Sequence, residues 1–388
     1  MKRKKIILCF VQYYLPGFRS GGPVRTVANF ADHLGDEFDI RIVCSDRDLN
    51  DVKPYSNIKI DTWNSIGKTK VFYISVKKNN FFSIKKLLIE TQYDILYLNS
   101  FFNFGFAILP LFIRYLGFVK KVPCIIGPRG EFSKSALDLK KVKKKFFMFL
   151  VKNIGLYKNL HWQASSQLEL FDIQREFGEV AKKITVARDL TPLSSTSQKI
   201  IPNRREKEPL RIIFLSRISP MKNLDFLLKV LARVSTAIEL SIFGPKENII
   251  YWNSCKELIK KLPDHVKINI GEEVPHENVI NIFSFHDLFV FPTLGEALGH
   301  IILESLSAGT PVLVSDRTSW VSDGLNGLEV LPLSEVIWVE KIEYWSNLSN
   351  KQMTDYRKAA LAYAEKTYQN NYRSITENKK LFYDVVNI

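Results

Sequence analysis

Four charged side chains in the second half of the chain have the types and spacing to act on one ligand. Glu296 and Glu304 stand in GEALGHIILESLSAGTPVLVSD, a stretch otherwise small or apolar. Arg217 and Lys222 stand in FLSRISPMKNLDFLL, where an apolar run ends and a helical one begins. Two cations beside the free amides of a helix start make an anion site suited to a diphosphate. Pro220 and Asn223 would shape that loop and helix start. Taken singly, each Glu and each cation serves equally well in a surface ion pair. Their presence in one sheet points instead to a ligand, because open α/β sheets bind ligands beyond the carboxyl ends of their strands.

The elements around them support that placement. HDLFVFPT and PVLVSD are short, almost wholly apolar runs of the kind found in parallel strands covered on both faces. Between them residues 299–308 fit a largely buried helix stopped by Gly309 and followed by Pro311. The unit is a βαβ crossover. Glu296 falls in its loop and Glu304 about a turn and a half into its helix, which as helical positions would be roughly 80° apart.

The same alternation runs along the whole chain of 388 residues, too long for one core. In the first half strands are expected at 5–10, 39–45, 71–76, 94–99, 122–126 and 161–164, with helices at 24–34, 82–91, 106–118 and 140–156. In the second half LRIIFLSR, AIELSIFG, HVKINIG, LFVFPT and PVLVSD are the strands, spaced by helices that include 223–234 and 248–262, and the chain turns helical beyond Leu333. TPLSSTSQKIIPNRREKEP is polar and aperiodic, a linker. The expected domains are therefore 1–190, a linker 191–209, and 210–388 with C-terminal helices. Each is a Rossmann-like, doubly wound α/β domain, and a cleft between them is the default ligand site.

Composition narrows the possibilities. Residues 1–190 carry 32 Lys and Arg against 17 Asp and Glu, while 191–388 balance at 23 of each, so the whole net charge of +15 lies in the first half. It concentrates at Lys140, Lys141, Lys143, Lys144 and Lys145, which lead into Phe146, Phe147, Met148, Phe149 and Leu150. Basic residues beside aromatics suit an anionic membrane surface and equally a solvated helix face beside a buried one. Nucleic acid is not expected, since no recognition motif accompanies the charge. Cys9, Cys44, Cys124 and Cys255 have no metal spacing and read as buried thiols of a reducing compartment. The basic start and Ile6–Val11 run are too short for a signal peptide, and FFNFGFAILPLFIRYLGFV is too interrupted for a membrane span.

A glycine-rich loop, YYLPGFRSGGPVRTVANF, joins the first strand to the first helix. Gly21 and Gly22 let backbone approach a ligand, and the helix opening at Pro23 points its positive end there. It is not a G-x-G-x-x-G fingerprint, and no acid closes the second strand, which disfavours a dehydrogenase.

Gly21-Gly22, SRISPMKN and the Glu-x7-Glu spacing of GEALGHIILE, with GPRGEFSKSAL, FGPKE and AGTPVLVSD, together resemble the group 1 (family 4) retaining glycosyltransferases of GT-B fold. The resemblance runs end to end and is strongest to the bacterial members that build surface polysaccharides. It implies that Arg217 and Lys222 hold the donor diphosphate and neutralise the leaving group, where charge develops. Glu304 would accept hydrogen bonds from the ribose and Glu296 would hold hydroxyls of the transferred sugar. The amides around Ala297, Leu298 and Gly299 would approach sugar and phosphate, His300 would lie within reach of the diphosphate, and Gly21 and Gly22 would close over the phosphates. Asn99, Asn103, Arg129 and Glu131 are the acceptor-side candidates, the last two equally readable as an ion pair.

No cofactor and no metal are expected. The nucleotide sugar, UDP- or GDP-linked, is a substrate, and a glycan or polyprenyl-diphosphate-linked glycan is the acceptor. The expected location is the cytoplasmic face of the inner membrane. Asp46 and Asp48 in SDRD have the spacing of metal-binding acids but read more simply as loop acids. Two features depart from the family: GPRGE stands where many members have a histidine, and ITVARDLTPL replaces an Asn-rich turn. A GT-B epimerase or phosphorylase and a non-catalytic basic binding protein are the alternatives.

Overall fold

The computed structural model describes residues 3–193, 208–296, 298–322 and 324–386. It divides into two compact units, Met1–Leu193 with Asn371–Ile388, and Ser194–Asn370. Most of the expected linker, 194–207, lies outside the described residues.

The first unit runs β1 (Ile6–Phe10), α1 (Gly22–Leu34), β2 (Asp39–Ser45), β3 (Trp63–Ile66), β4 (Thr69–Ile74), α2 (Phe81–Glu90), β5 (Ile95–Leu98), α3 (Leu109–Tyr115), β6 (Cys124–Ile126), α4 (Lys134–Asp138), α5 (Lys141–Asn153), β7 (His161–Ala164), α6 (Gln167–Phe177) and β8 (Lys183–Val186). Its sheet has the order β3-β4-β2-β1-β5-β6-β7-β8 and is parallel except for the β3–β4 pair. β3 and β8 are absent from the sequence-based expectation. Both are edge strands, half-buried or exposed along their length, so neither carries the apolar run that marks an interior strand. The helix expected at 106–118 begins instead as a π-helical turn, Phe104–Ile108, before α3.

The second unit runs β9 (Leu210–Leu215), α7 (Leu224–Leu231), β10 (Ile238–Phe243), α8 (Ile249–Ile259), β11 (Val266–Ile270), α9 (His276–Ser284), β12 (Leu288–Phe291), α10 (His300–Ser307), β13 (Val312–Ser315), β14 (Leu328–Leu331), α11 (Glu335–Ser346) and α12 (Asn350–Gln369). All strand pairs are parallel, in the order β11-β10-β9-β12-β13-β14. The order reverses between β9 and β12, so the loops after these two strands lie side by side at the position where doubly wound sheets take ligands. The first unit reverses between β1 and β5 in the same way.

The last helix, α13 (Asn371–Val386), corrects the expected boundary of 210–388: it belongs to the first unit. Phe382 packs against Phe30 at 5.2 Å and Tyr97 at 5.3 Å, and Leu381 and Val385 are buried with it. Amphipathic periodicity predicts that α13 buries one face but not which core receives it. Within the second unit α12 is held by Arg357, 1% exposed, which reaches fully buried Asp287 at 3.2 Å and the His286 carbonyl at 2.6 Å. Arg211 meets Asp287 at 2.9 Å. Burial alone would push the Asp287 carboxyl up, but the Arg211 hydrogen bond and the charges of both guanidinium groups hold it below its ordinary value.

Candidate functional site

At the switch point of the second unit, β9 ends at Leu215 and the chain passes Arg217 into a short 3-10 turn, Pro220–Lys222. Asn223 then adopts a left-handed conformation and starts α7. The turn is stitched to the loop after β12: the Asn223 side chain donates to the Pro292 carbonyl at 2.9 Å, the Thr293 hydroxyl to the Met221 carbonyl at 3.1 Å, and the Leu294 amide to Met221 at 2.8 Å. These tethers bring Lys222 and Glu296 into an ion pair. Lys222 is 7% exposed, with its ammonium 5.4 Å from the Phe291 ring centroid. A phosphate oxygen and a carboxylate are interchangeable partners for such an ammonium, so an incoming diphosphate can take Lys222 and leave Glu296 to accept from hydroxyls.

Arg217 makes a two-pronged contact with Glu247, at 3.0 and 3.1 Å; both side chains are about one-third exposed, at 32% and 33%. Glu304 lies on α10, in the second turn, where its carboxylate meets His276 Nδ1 of α9 at 3.4 Å. His300, buried, is the first residue of α10. Ala297 lies outside the described residues. Gly299 precedes α10 with φ 68°, and a Cβ there would stand 2.7 Å from Glu296 Cγ. Both the left-handed backbone and the close approach require glycine.

In the first unit Gly21 has φ 64° and caps α1, and the space where side chains would project from Gly21 and Gly22 is open. Asp48 is the pin of this loop. Its carboxylate accepts from the amides of Phe18 at 2.7 Å, Arg19 at 3.0 Å and Leu49 at 2.8 Å. Buried Asp46 pairs with Arg47 at 2.8 Å. Both acids are therefore engaged within the loop, as loop acids after the second strand.

Arg129 and Glu131 do not pair with one another. Arg129 is ion-paired to Asp189, donates to Asn99 at 3.1 and 2.8 Å and reaches the Tyr97 hydroxyl. Burial pulls its proton affinity down, but Asp189, Tyr97, Glu169 and Cys9 together outweigh that and raise it. Glu131 accepts from Ser100 at 2.8 Å and from the amides of Phe101 at 2.5 Å and Phe102 at 3.1 Å. Burial pushes its carboxyl above the ordinary value. Glu169, buried beneath Gly130, is raised by burial too. Asn99 also donates to Cys9 Sγ at 3.2 Å. Asn103 donates to Gln12 at 2.7 Å, joining the loop after β5 to the loop after β1, and accepts from the Phe106 amide at 2.9 Å.

Residues 196–362 match the model of the family described as Glycosyl transferases group 1. The matched span lies within the second unit. The chain's two parallel-sheet units and C-terminal helices form a GT-B fold. Among its relatives is an uncharacterized 41.2 kDa protein of the cps region of Klebsiella pneumoniae, 24% identical over 84% of this chain and 88% of that one. Among solved structures of the same fold, Anabaena HepE, determined with UDP and glucose, superposes with a TM-score of 0.68 at 15% identity over 100% of both chains. WaaG, a glycosyltransferase of lipopolysaccharide biosynthesis, superposes with a TM-score of 0.65 at 13% identity over 95% of this chain and 98% of its own. The matched span contains Arg217, Lys222, Glu296 and Glu304. Sequence patterns had not marked Thr293, Trp320, Asp189 or Glu169. Of these only Trp320, a lone aromatic in a polar run after a strand, carried a local signal.

Proposed function

We propose that this glycosyltransferase is a retaining, metal-independent enzyme that moves a hexosyl group from a UDP- or GDP-linked donor to a glycan, or to a polyprenyl-diphosphate-linked glycan, in the building of a bacterial surface polysaccharide. The observation that carries this reading is the Lys222–Glu296 pair at the β9/β12 switch point, with Glu304 on the helix that follows. Lys222, and Arg217 once it exchanges Glu247 for phosphate, hold the diphosphate. Glu304 takes the ribose hydroxyls, and Glu296, released from Lys222, holds the sugar, while the Leu298 and Gly299 amides and His300 approach sugar and phosphate. Gly21 and Gly22 serve the phosphates, and Asn103, whose bond to Gln12 is exposed, serves the acceptor in preference to buried Asn99 and to Arg129 and Glu131 with their several fixed partners. The bond from the anomeric carbon to the phosphate oxygen breaks as the acceptor oxygen bonds on the same face. The acceptor's proton passes to the departing phosphate, so no protein base is required. UDP- and glucose-bound HepE and the lipopolysaccharide enzyme WaaG support the donor and product classes.

The test is titration with UDP and GDP, followed by a donor panel read by diphosphate release. One nucleotide binds tightly, and Glu304→Ala and Lys222→Ala each abolish that binding. Binding that survives both changes removes this reading.

The first unit supplies the acceptor's surface. Helix α5 buries Met148 and Val151 but exposes Val142, Phe146 and Phe149 at 81%, 62% and 63%. The Tyr115 hydroxyl donates to the Ile154 carbonyl at 2.7 Å, carrying the apolar surface on to the exposed Leu116 and Phe118. Monomers seldom expose so much contiguous apolar surface, and Lys141, Lys143 and Lys145 beside it suit anionic headgroups. Lys144 differs from its neighbours: it is half-buried and donates to the Ala136 carbonyl at 2.6 Å. Among the described residues no helix is long and apolar enough to cross a membrane. Phe146→Ser with Phe149→Ser abolishes sedimentation with phosphatidylglycerol vesicles; unchanged sedimentation removes the membrane partner.

A further inference from the structure

In the loop expected to grip the sugar, the described residues between β12 and α10 belong to no strand or helix, so its shape depends on tethers. One is the amide of Glu296, which donates to the Arg317 carbonyl at 3.3 Å. The other comes from Trp320, five residues past the end of β13. Its indole Nε1 donates to the Leu298 carbonyl at 2.5 Å. The ring is 9% exposed and lies against Tyr363 of α12, with centroids 5.8 Å apart. The Tyr363 hydroxyl in turn donates to the Val321 carbonyl at 2.9 Å. A segment after β13, backed by α12, thus holds the loop at Glu296 and again at Leu298.

We infer that Trp320 is a positioning residue for sugar transfer. Its indole N–H fixes the peptide that follows Leu298, so the Gly299 amide and the Glu296 carboxylate present themselves to the sugar and its phosphate. An indole has one donor and no acceptor, and here that donor goes to a loop carbonyl. Because Gly299 tolerates many backbone conformations, a loop released at Leu298 can re-orient its amides while α10 stays in place. Misplacement on the order of 1 Å costs up to about a hundredfold in rate. The ribose contact of Glu304, rooted in α10, does not depend on this tether. Loss of the Trp320 N–H should therefore separate sugar transfer from nucleotide binding. This inference rests on the donor site proposed above.

The test is Trp320→Phe, which keeps an aromatic ring against Tyr363 and removes the N–H. Three quantities are measured: melting temperature, affinity for the nucleoside diphosphate selected by titration, and kcat and KM with the donor selected by the panel. The expected result is a fall in kcat of about tenfold, with nucleotide affinity within about twofold of the parent and cooperative melting retained. An unchanged kcat overturns the inference, and so does a loss of nucleotide affinity in step with kcat, which is the mark of general damage. Tyr363→Phe, which spares the indole bond, should reproduce the effect weakly or not at all; an equal fall in kcat would assign the role to packing and overturn it. If Glu304→Ala and Lys222→Ala leave nucleotide binding intact, the donor site itself fails, an outcome distinct from any result at Trp320.

Discussion

Both units end their central strands in loops rich in charged side chains, yet they use those charges in opposite ways. In the second unit the carboxyl-end charges are lightly committed. Lys222 and Glu296 neutralise each other, and Arg217 and Glu247 remain about one-third exposed, at 32% and 33%. The charges that hold the fold, buried Asp287 and Arg357 with the partly exposed Arg211, meet near the amino ends of β9 and β12. In the first unit the carboxyl-end charges are themselves the framework: Arg129 serves Asp189 and Asn99, and Glu131 serves the loop after β5. A charged residue at a strand's carboxyl end is available to a ligand only if its own fold has not claimed it. A paired charge that a ligand can replace is available; one surrounded by several fixed partners is not.

Substitutions at the claimed charges should give the largest effects. Arg129→Ala leaves Asp189 buried without its partner and should destabilise the first unit by about 3–5 kcal/mol, with nucleotide affinity unchanged; loss of affinity without loss of stability would return Arg129 to the ligand-binding set. Asp287→Ala strands Arg357 and should cost the second unit about as much, measured by denaturant unfolding. At the available charges the balance reverses. Lys222→Ala should lower kcat/KM by about 10²–10³-fold, with a change in unfolding free energy well below that of Asp287→Ala. Glu247→Gln, which frees Arg217 at an exposed pair, should change stability by no more than about 1 kcal/mol and tighten nucleoside diphosphate binding slightly. Tighter binding sharpens the contrast between the units, and weaker binding breaks it.

Acid titration gives the smallest effect and opposite signs in the two units. Burial raises the folded-state carboxyls of Glu131 and Glu169, so the folded first unit binds their protons at higher pH than the unfolded chain does. Mild acidification through those raised values favours folding, and Glu131→Gln should remove part of that gain. Asp287 is lowered, so its stabilising contribution is present above the unfolded carboxylate value and is lost only as pH falls through its lower folded value. Chemical unfolding followed by a probe in each unit checks both signs.

The charges proposed to hold the donor were legible as candidates because they form local patterns. Glu296 and Glu304 share one βαβ crossover, and Arg217 and Lys222 share one strand-to-helix loop, so spacing alone assigned each pair to its element. The interior strands were legible for a related reason: strands covered on both faces are almost wholly apolar, as β1, β5 and β12 are. The edge strands β3 and β8 were not, since half-exposed strands carry mixed residues. Arg129 and Glu131 were read together because they are neighbours in sequence, whereas their partners Asp189 and Ser100 lie 60 and 31 residues away.

By itself the sequence determined two α/β units, the elements that carry Arg217, Lys222, Glu296 and Glu304, and the excess of positive charge in the first half. Those follow from periodicity, turn chemistry and composition, which act over a few residues. Tertiary structure alone decided that α13 completes the first unit, that Arg129 and Glu131 belong to a buried framework, and that Trp320 reaches the loop at Leu298. Each depends on residues far apart in the chain meeting in one place, and no local pattern encodes which distant partner a side chain will find.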